Sequence, residues 1–382
     1  MARISILEPP VSALELRAGQ IADPVERLRF LRQEMRPKAR LAKVTARSHR
    51  RAGWLAAGLA ALVVLVPVPT GSAETLARER LLVSPDTTNP AIMLEPAPRV
   101  WLVDRSGSSE LYSNGLRIDL RYAVSNRPRR QFPIFSTGGV RQGEGNAPVG
   151  IVYHTTESNL APFEEKENRR LQVSGRSSIE VVRQERAYHY QIDRFGRVFR
   201  VVQESDAANH AGASVWADSR GVYVNLNDSF LGVSLEGQTS AAEATTPAQI
   251  ASAKVLTEML RSRYAIPAGN CVTHAQVSVN PQNMHIGDHT DWAGKFPYAG
   301  VGLPDNYAIP LASLYVFGFT YDSVFLRVTG TRWRGLDLAE LWVARQAAAE
   351  GAETGKYRSV LRRRYKDIEV ALKEEQGEEV VK

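Results

Sequence analysis

Six of the chain's seven histidines, His154, His189, His210, His274, His285 and His289, fall between positions 154 and 289. Two of them close short apolar runs: His154 in IVYHTTES (151–158) and His274 in CVTHAQ (271–276). If both runs are strands of one sheet, both imidazoles project from the same end of it. Asp288 and Asp291 stand on either side of His289 in GDHTDWAGKFPY. Two neutral imidazoles and one carboxylate around an open fourth position make a catalytic zinc shell, because the open position admits water or a substrate carbonyl. Neither HExxH nor CxxC is present. On spacing alone, satisfied polar residues at strand ends remain the alternative.

The elements that must position these residues alternate between strand and helix from about residue 146. PVGIVY (148–153) reads as a strand, followed by a helix ending in IEVVRQER, a strand AYHYQID, a turn at Arg194, Phe195 and Gly196, and a strand RVFRVV. LGVSLEG (231–237) is a further strand. In the segment after it, Thr246 is an N-cap with Pro247 at the first helical position, and Ile250, Ala253, Leu256, Leu260 and Tyr264 keep helical spacing up to Pro267. CVTHAQ is then a short strand carrying His274. Before this region, VWLVDR, SELYSNGLRIDLRYAV and RQFPIF form a small β-rich lead-in. After it, residues 301–382 begin apolar and aromatic and finish in two helices with solvated charged faces.

Charge placement sorts the classes of partner. The formal net charge is +7, and residues 1–52 alone hold 12 Lys/Arg against 5 Asp/Glu, so the rest of the chain is neutral. A nucleic-acid groove is therefore not expected. The basic excess precedes an uncharged run, AGWLAAGLAALVVLVPVPTGSA (52–73), with seven Lys/Arg and no acid from Arg36 to Arg51. That is the positive-inside pattern of a membrane-spanning helix, placed at 53–70 with the N-terminus inside. Gly71, Ser72 and Ala73 after two prolines also resemble a signal-peptide cleavage site, although a 52-residue leader is long for one. An uncleaved anchor is the preferred reading. It puts residues 74 onward in the periplasm or outside the cytoplasmic membrane. Hydrophobic residues make up 43% of the sequence, enough for a packed core, and the single cysteine, Cys271, excludes an internal disulfide.

The segments IVYHTTES, AYHYQIDRFGRVFR, NHAGAS, NDSFLGVSLEG, VTHAQ and HTDWAGKFPY follow one another as in the zinc-dependent N-acetylmuramoyl-L-alanine amidases. The chain resembles this type-2 amidase and peptidoglycan-recognition-protein superfamily over residues 146–300. The resemblance implies an α/β fold with a mixed central β-sheet flanked by helices, here carrying an N-terminal transmembrane helix and a helical C-terminal extension. With the charge and hydropathy pattern, it divides the chain into a basic cytoplasmic segment (1–52), an anchor (53–70), a spacer and β-rich lead-in (71–145), a zinc amidase domain (146–300) and the extension (301–382).

Residue by residue, the resemblance implies zinc ligands at His154, His274 and Asp291, with Asp288 as competitor for the third place. Tyr188 matches a tyrosine beside the metal that donates to a developing oxyanion. His189 alternates to the other face of its strand and reads as structural. His289 stands where relatives often place a lysine that stabilises the tetrahedral intermediate, a role a protonated histidine can fill. Many relatives have a glutamate base at the position of Ser234. Here the carboxylate is two residues later, at Glu236, on the same side of the strand, which leaves Ser234 with His210 among the residues expected to face substrate. The implied reaction is hydrolysis of the amide between N-acetylmuramic acid and L-alanine of the peptidoglycan stem. The rival is a membrane-anchored module of the same fold that binds peptidoglycan and cuts little or nothing, which Ser234 favours mildly.

Overall fold

The computed structural model of the chain describes residues 99–239 and 245–376, within a unit running from Gly71 to Lys382. Its strands are β1 (Leu102–Arg105), β2 (Ser109–Tyr112), β3 (Arg117–Asp119), β4 (Phe132–Phe135), β5 (Arg141–Gly145), β6 (Gly150–Thr155), β7 (Tyr190–Ile192), β8 (Val198–Arg200), β9 (Val215–Asp218), β10 (Gly221–Val224), β11 (Phe230–Leu235), β12 (Cys271–Thr273), β13 (Val279–Asn280) and β14 (His285–Ile286). The helices are α1 (Asn168–Glu185), α2 (Pro247–Tyr264), α3 (His274–Val277), α4 (Tyr298–Val301), α5 (Ala312–Phe317), α6 (Ser323–Thr329), α7 (Arg334–Ala349) and α8 (Thr354–Gln376).

One mixed eight-stranded sheet organises the unit, in the order β1-β2-β3-β8-β7-β11-β6-β12. At its centre β6 runs parallel to both β11 and β12, and each of these three strands is buried throughout. Continuous apolar strands of this kind belong inside a sheet covered on both faces. Helix α2 covers one face, where Tyr153 Oη and Thr257 Oγ1 lie 2.6 Å apart. Helix α1 covers the other, where Gln191 Nε2 donates to Ser178 Oγ at 2.9 Å. Neighbouring residues of a strand point to opposite faces, so Tyr153 enters the α2 layer and His154 the α1 side.

The α2 start follows the sequence pattern. Thr246 Oγ1 accepts from Gln249 N while Gln249 Oε1 accepts from Thr246 N, a capping box with Pro247 at N1. A second, antiparallel sheet runs β5-β4-β10-β9, and α5 packs against β9.

The structure differs from the sequence expectations in three places. The β-rich lead-in divides between the two sheets: β3 pairs parallel to β8, with Ile118 opposite Val198 and wholly buried, so β1 to β3 complete one side of the main sheet, while β4 and β5 belong to the second. The expected strand CVTHAQ stops at Thr273, where Gln276 Oε1 accepts from Thr273 N (3.0 Å) and Oγ1 (3.1 Å) and turns the chain into α3. The C-terminal extension is helical as expected, but all of Ala312–Phe317 is buried, so its first part is core. No helix among the described residues is long and apolar enough to cross a membrane, and the expected span at 53–70 lies outside them.

Candidate active site

The site forms where β6 and β12 end side by side. Their parallel register, Val152 with Val272 and Tyr153 with Thr273, brings the next residues, His154 and His274, to one place from opposite backbone settings. His154 is still strand, whereas His274 is the first residue of α3. Asp291 arrives on the loop after β14, tied to α3 by a 3.2 Å bond from Ala275 N to Asp291 O.

The tail holds that loop. A Cβ at Gly287 would meet Phe325 at 2.2 Å, and one at Gly294 would meet Thr329 O at 2.6 Å; both glycines have positive φ, 75° and 89°. The loop can approach α6 this closely only with glycine at these two points. Tyr307 Oη donates to Trp292 O, fixing the residue beside Asp291.

His154 Nδ1 lies 3.1 Å from Asp291 Oδ2, and His274 Nδ1 lies 2.9 Å from Asp291 Oδ1. One ligand atom from each residue falls within 4.8 Å of the others, and all three residues are buried. Asp288, the competitor, instead accepts from Asn280 Nδ2 at 2.9 Å and is exposed. Burial, then the field of His274, lowers the His154 pKa to about 4. Burial pushes the Asp291 carboxyl up, but the field of His274 and the hydrogen bonds from both histidines outweigh it and hold it far below the carboxylate range. At neutral pH the set is thus a neutral His154 imidazole beside an ionised carboxylate.

Around His154 the donor set is one proton short, which a cation would make good. His154 Nε2 lies 3.2 Å from His210 Nδ1, and His210 Nε2 lies 3.3 Å from Phe230 O. Burial, then the field of His154, keeps His210 neutral. The row from Asp291 through His154 and His210 to the Phe230 carbonyl has an acceptor at each end and three contacts to fill. Two neutral imidazoles carry one N–H each. One contact therefore lacks a proton, and His154, His274 and Asp291, as nitrogen and oxygen donors that suit zinc, would hold a cation that relieves the shortage.

The other expected residues sit as follows. The Tyr188 ring is 4.8 Å from that of His154, and its hydroxyl donates to Thr155 O at 3.4 Å. Burial, with the charges of Asp291 and Glu157, raises its pKa far enough that it stays protonated at any ordinary pH. His189 accepts from Gly232 N at Nδ1 (2.9 Å) and donates from Nε2 to Asp206 O (3.1 Å), which makes it part of the framework.

His289 stacks on His274 at 4.6 Å with its side chain 62% exposed. Burial of part of the ring and the field of His274 lower its pKa. Ser234, in register with His154, donates to Tyr190 O at 3.3 Å and is wholly buried between strands. Glu236 accepts from Arg194 N at 3.2 Å and faces Gly175 of α1. Burial, then the charge of Asp193, raises its pKa against the pull of Arg194.

Glu157, three residues past His154, escaped the sequence reading. Its Oε1 accepts from Thr155 Oγ1, from Thr239 N at 2.9 Å and from Thr239 Oγ1 at 2.6 Å, and its charge acts on Tyr188. A carboxylate in the polar run after a ligand was the available signal. A cavity of about 400 Å³ has Thr155, Glu236, Trp292, Lys295 and Val328 in its walls; Thr155 and Trp292 are chain neighbours of His154 and Asp291, and no residue of the triad lines it.

Residues 144–293 match the family model of the N-acetylmuramoyl-L-alanine amidases. This amidase-matching segment holds all three residues of the triad. Among solved structures the chain is similar to the amidase LysC from Clostridium intestinale URNW, at 21% identity over 48% of this chain and 93% of that one, with a TM-score of 0.27. It is also similar to AmiD from E. coli, solved with anhydro-N-acetylmuramic acid-L-Ala-D-gamma-Glu-L-Lys, at 21% identity over 53% and 64% of the two chains, with a TM-score of 0.31. A third likeness is to Drosophila PGRP-LB, at 16% identity over 43% and 86%, with a TM-score of 0.26. No curated protein matches the chain.

Proposed function

We propose that the chain is a zinc-dependent N-acetylmuramoyl-L-alanine amidase that hydrolyses the amide between the lactyl carboxyl of N-acetylmuramic acid and L-alanine of the stem peptide. The observation that carries this reading is the convergence of His154 Nδ1, His274 Nδ1 and one Asp291 carboxylate inside the amidase-matching segment. Bound by these three atoms, zinc would supply a Lewis acid and a nucleophile available near neutral pH. Tyr188, whose raised pKa keeps its hydroxyl protonated, is the donor for the oxyanion that develops on the scissile carbonyl. The cavity walled by Thr155 and Trp292, chain neighbours of two of the three ligands, is the room for one arm of the substrate in this reading, with the exposed Lys295 as a positive group at its wall.

The proton carrier is where this reading departs from the sequence expectation. Glu236 accepts from Arg194 N and Glu157 from Thr155 Oγ1 and Thr239, so neither is a free carboxylate, and Glu157, whose charge acts on Tyr188, joins Glu236 as a carrier of the proton toward the leaving amine. The same observation favours a second reading, in which the site holds muramyl peptide with little hydrolysis. Digestion of purified sacculi with added zinc separates the two. Free stem peptides detected by mass spectrometry support the amidase, whereas binding without release supports the module.

We further propose that the span at 53–70 holds the amidase segment on the periplasmic or outer side of the membrane, where peptidoglycan lies. The supporting feature is the basic excess confined to residues 1–52. Protease access to the amidase segment in intact spheroplasts tests the placement, and full protection would overturn it.

A further inference from the structure

Resting on the zinc reading, we propose that His210 is a positioning residue that accepts the Nε2 proton of His154 and so aims the His154 Nδ1 lone pair at the metal. The resemblance would have it line the substrate groove; its surroundings give it a seat instead. The Phe230 carbonyl can only accept, so His210 Nε2, 3.3 Å away, carries that ring's proton and Nδ1 presents the lone pair. His154 Nε2, 3.2 Å from that lone pair, is then the donor, and His154 Nδ1 is left with its own lone pair on the Asp291 side. Metal-ligating histidines are ordinarily oriented by an acceptor at the second ring nitrogen. Here the acceptor is another imidazole.

The fold builds this seat from several sides. Asn227 Oδ1 accepts from both His210 N (3.0 Å) and Ala211 N (2.7 Å), which fixes the backbone under the ring. Position 232 is glycine, and a Cβ there would meet His210 Cγ at 2.7 Å, so the ring lies directly on the floor of β11. His189 stands behind it with ring centroids 5.7 Å apart. His210 is only 6% exposed, too little for a residue whose work is to touch a muramyl peptide. The contrast with the second ligand is direct: His274 Nε2 is buried with no hydrogen-bond partner among the described residues, so only His154 is braced from behind.

Zinc affinity of the full chain, measured by competition with a chelator, tests the assignment in wild type, His210→Ala and His210→Asn. Loss of the acceptor in His210→Ala should weaken zinc binding about 10- to 100-fold. His210→Asn places an amide oxygen close to the lost Nδ1 and should recover most of the affinity. A His210→Ala variant that binds zinc within about twofold of wild type, well outside the range for an orienting partner, overturns the proposal. In that outcome a rise in KM for a muramyl peptide would return His210 to the groove.

Should His210→Ala fail to fold, the ring 15N shifts of zinc-loaded wild type decide. Protons on Nε2 of both His154 and His210 support the assignment, and a proton on His210 Nδ1 overturns it. A wild-type chain that binds no zinc at all would instead break the amidase reading itself, which keeps the two failures apart.

Discussion

On the lead-in side of the main sheet, Glu110, Arg200 and Glu204 form a buried cluster that the exposed Arg263 joins from the surface; at the ends of β6 and β12, His154, His210, His274 and Asp291 form another. The first is complete. Arg200 gives two hydrogen bonds to the Glu110 carboxylate, at 3.1 and 2.8 Å, and reaches Glu204 at 3.3 Å. Arg263 binds Glu204 at 2.7 Å, and the hydroxyls of Tyr112, Tyr190 and Tyr264 all donate to the two carboxylates. Two acids meet three guanidinium groups, counting Arg105 on Glu110. The second cluster is one proton short and sets neutral nitrogen against an ionised carboxylate. A buried polar group without its complement costs stability, so an unbalanced set is the one to suspect of a further ligand.

The largest expected effect falls on the unbalanced cluster. His154→Ala should lower amidase activity by at least about a thousandfold, since several kcal/mol of transition-state stabilisation depend on the metal, each ~1.4 kcal/mol being a factor of ten. Its unfolding should change less than its activity, as followed by circular dichroism in urea. On the balanced side, Arg200→Met leaves Glu110 and Glu204 without their shared partner and should cost about 3–5 kcal/mol of stability, read from the same urea curves. Zinc affinity should be retained in that variant once folded. A cost below about 1 kcal/mol would show that the cluster is not the closed structural unit described here.

Acid should take the two clusters apart in sequence. In the metal-free protein the His154 pKa falls from 6.5 to about 4, so the unfolded chain takes up its proton first, and stability drops as pH falls from 6.5 toward 4. Burial pushes Glu110 up, but hydrogen bonds from Arg200 and Tyr112 win and bring it from 4.5 to about 2. Its contribution is whole above pH 4.5 and is lost as pH falls toward 2. At ~1.4 kcal/mol per pH unit each change is worth about 3 kcal/mol, and stability measured against pH should show both windows. The buried His189, lowered to about 3, and His210 add to the upper window, so a His154→Ala variant whose upper-window drop equals that of wild type would remove His154 from the account.

Zinc itself is a smaller lever. At a free concentration about 100 times Kd it should stabilise the wild type by about 2.7 kcal/mol, and a chelator should reverse the gain. Arg105→Ala sharpens the other side of the contrast. Arg105 binds Glu110 at 2.5 Å but is 61% exposed, so its loss should cost at most about 1 kcal/mol.

Much of the framework was legible in the residues because it rests on local rules. Thr246, Pro247 and the apolar spacing to Tyr264 define α2 without reference to anything distant. The apolar runs before His154 and His274 mark them as strand ends, and the order of short segments ties them to Asp291. The membership of β1 to β3 in the main sheet was not legible, because strand pairing joins Ile118 to Val198 across eighty residues of chain and leaves no periodic trace. The side-chain directions of Ser234 and Glu236 were hidden for a related reason. Strand alternation gives the face, and it is the packing of α1 and Arg194 that decides where on that face a carboxylate ends.

The sequence by itself determined the donor types, the elements that carry them and the three residues to compare, since hydrogen-bonding chemistry and period are properties of the chain. Tertiary structure alone decided that Asp291 and not Asp288 faces both imidazoles, that Phe325 and Thr329 of the tail hold the Asp291 loop, and that His210 stands behind His154. Those are distances of a few ångströms between residues far apart in the chain, and only close packing fixes them.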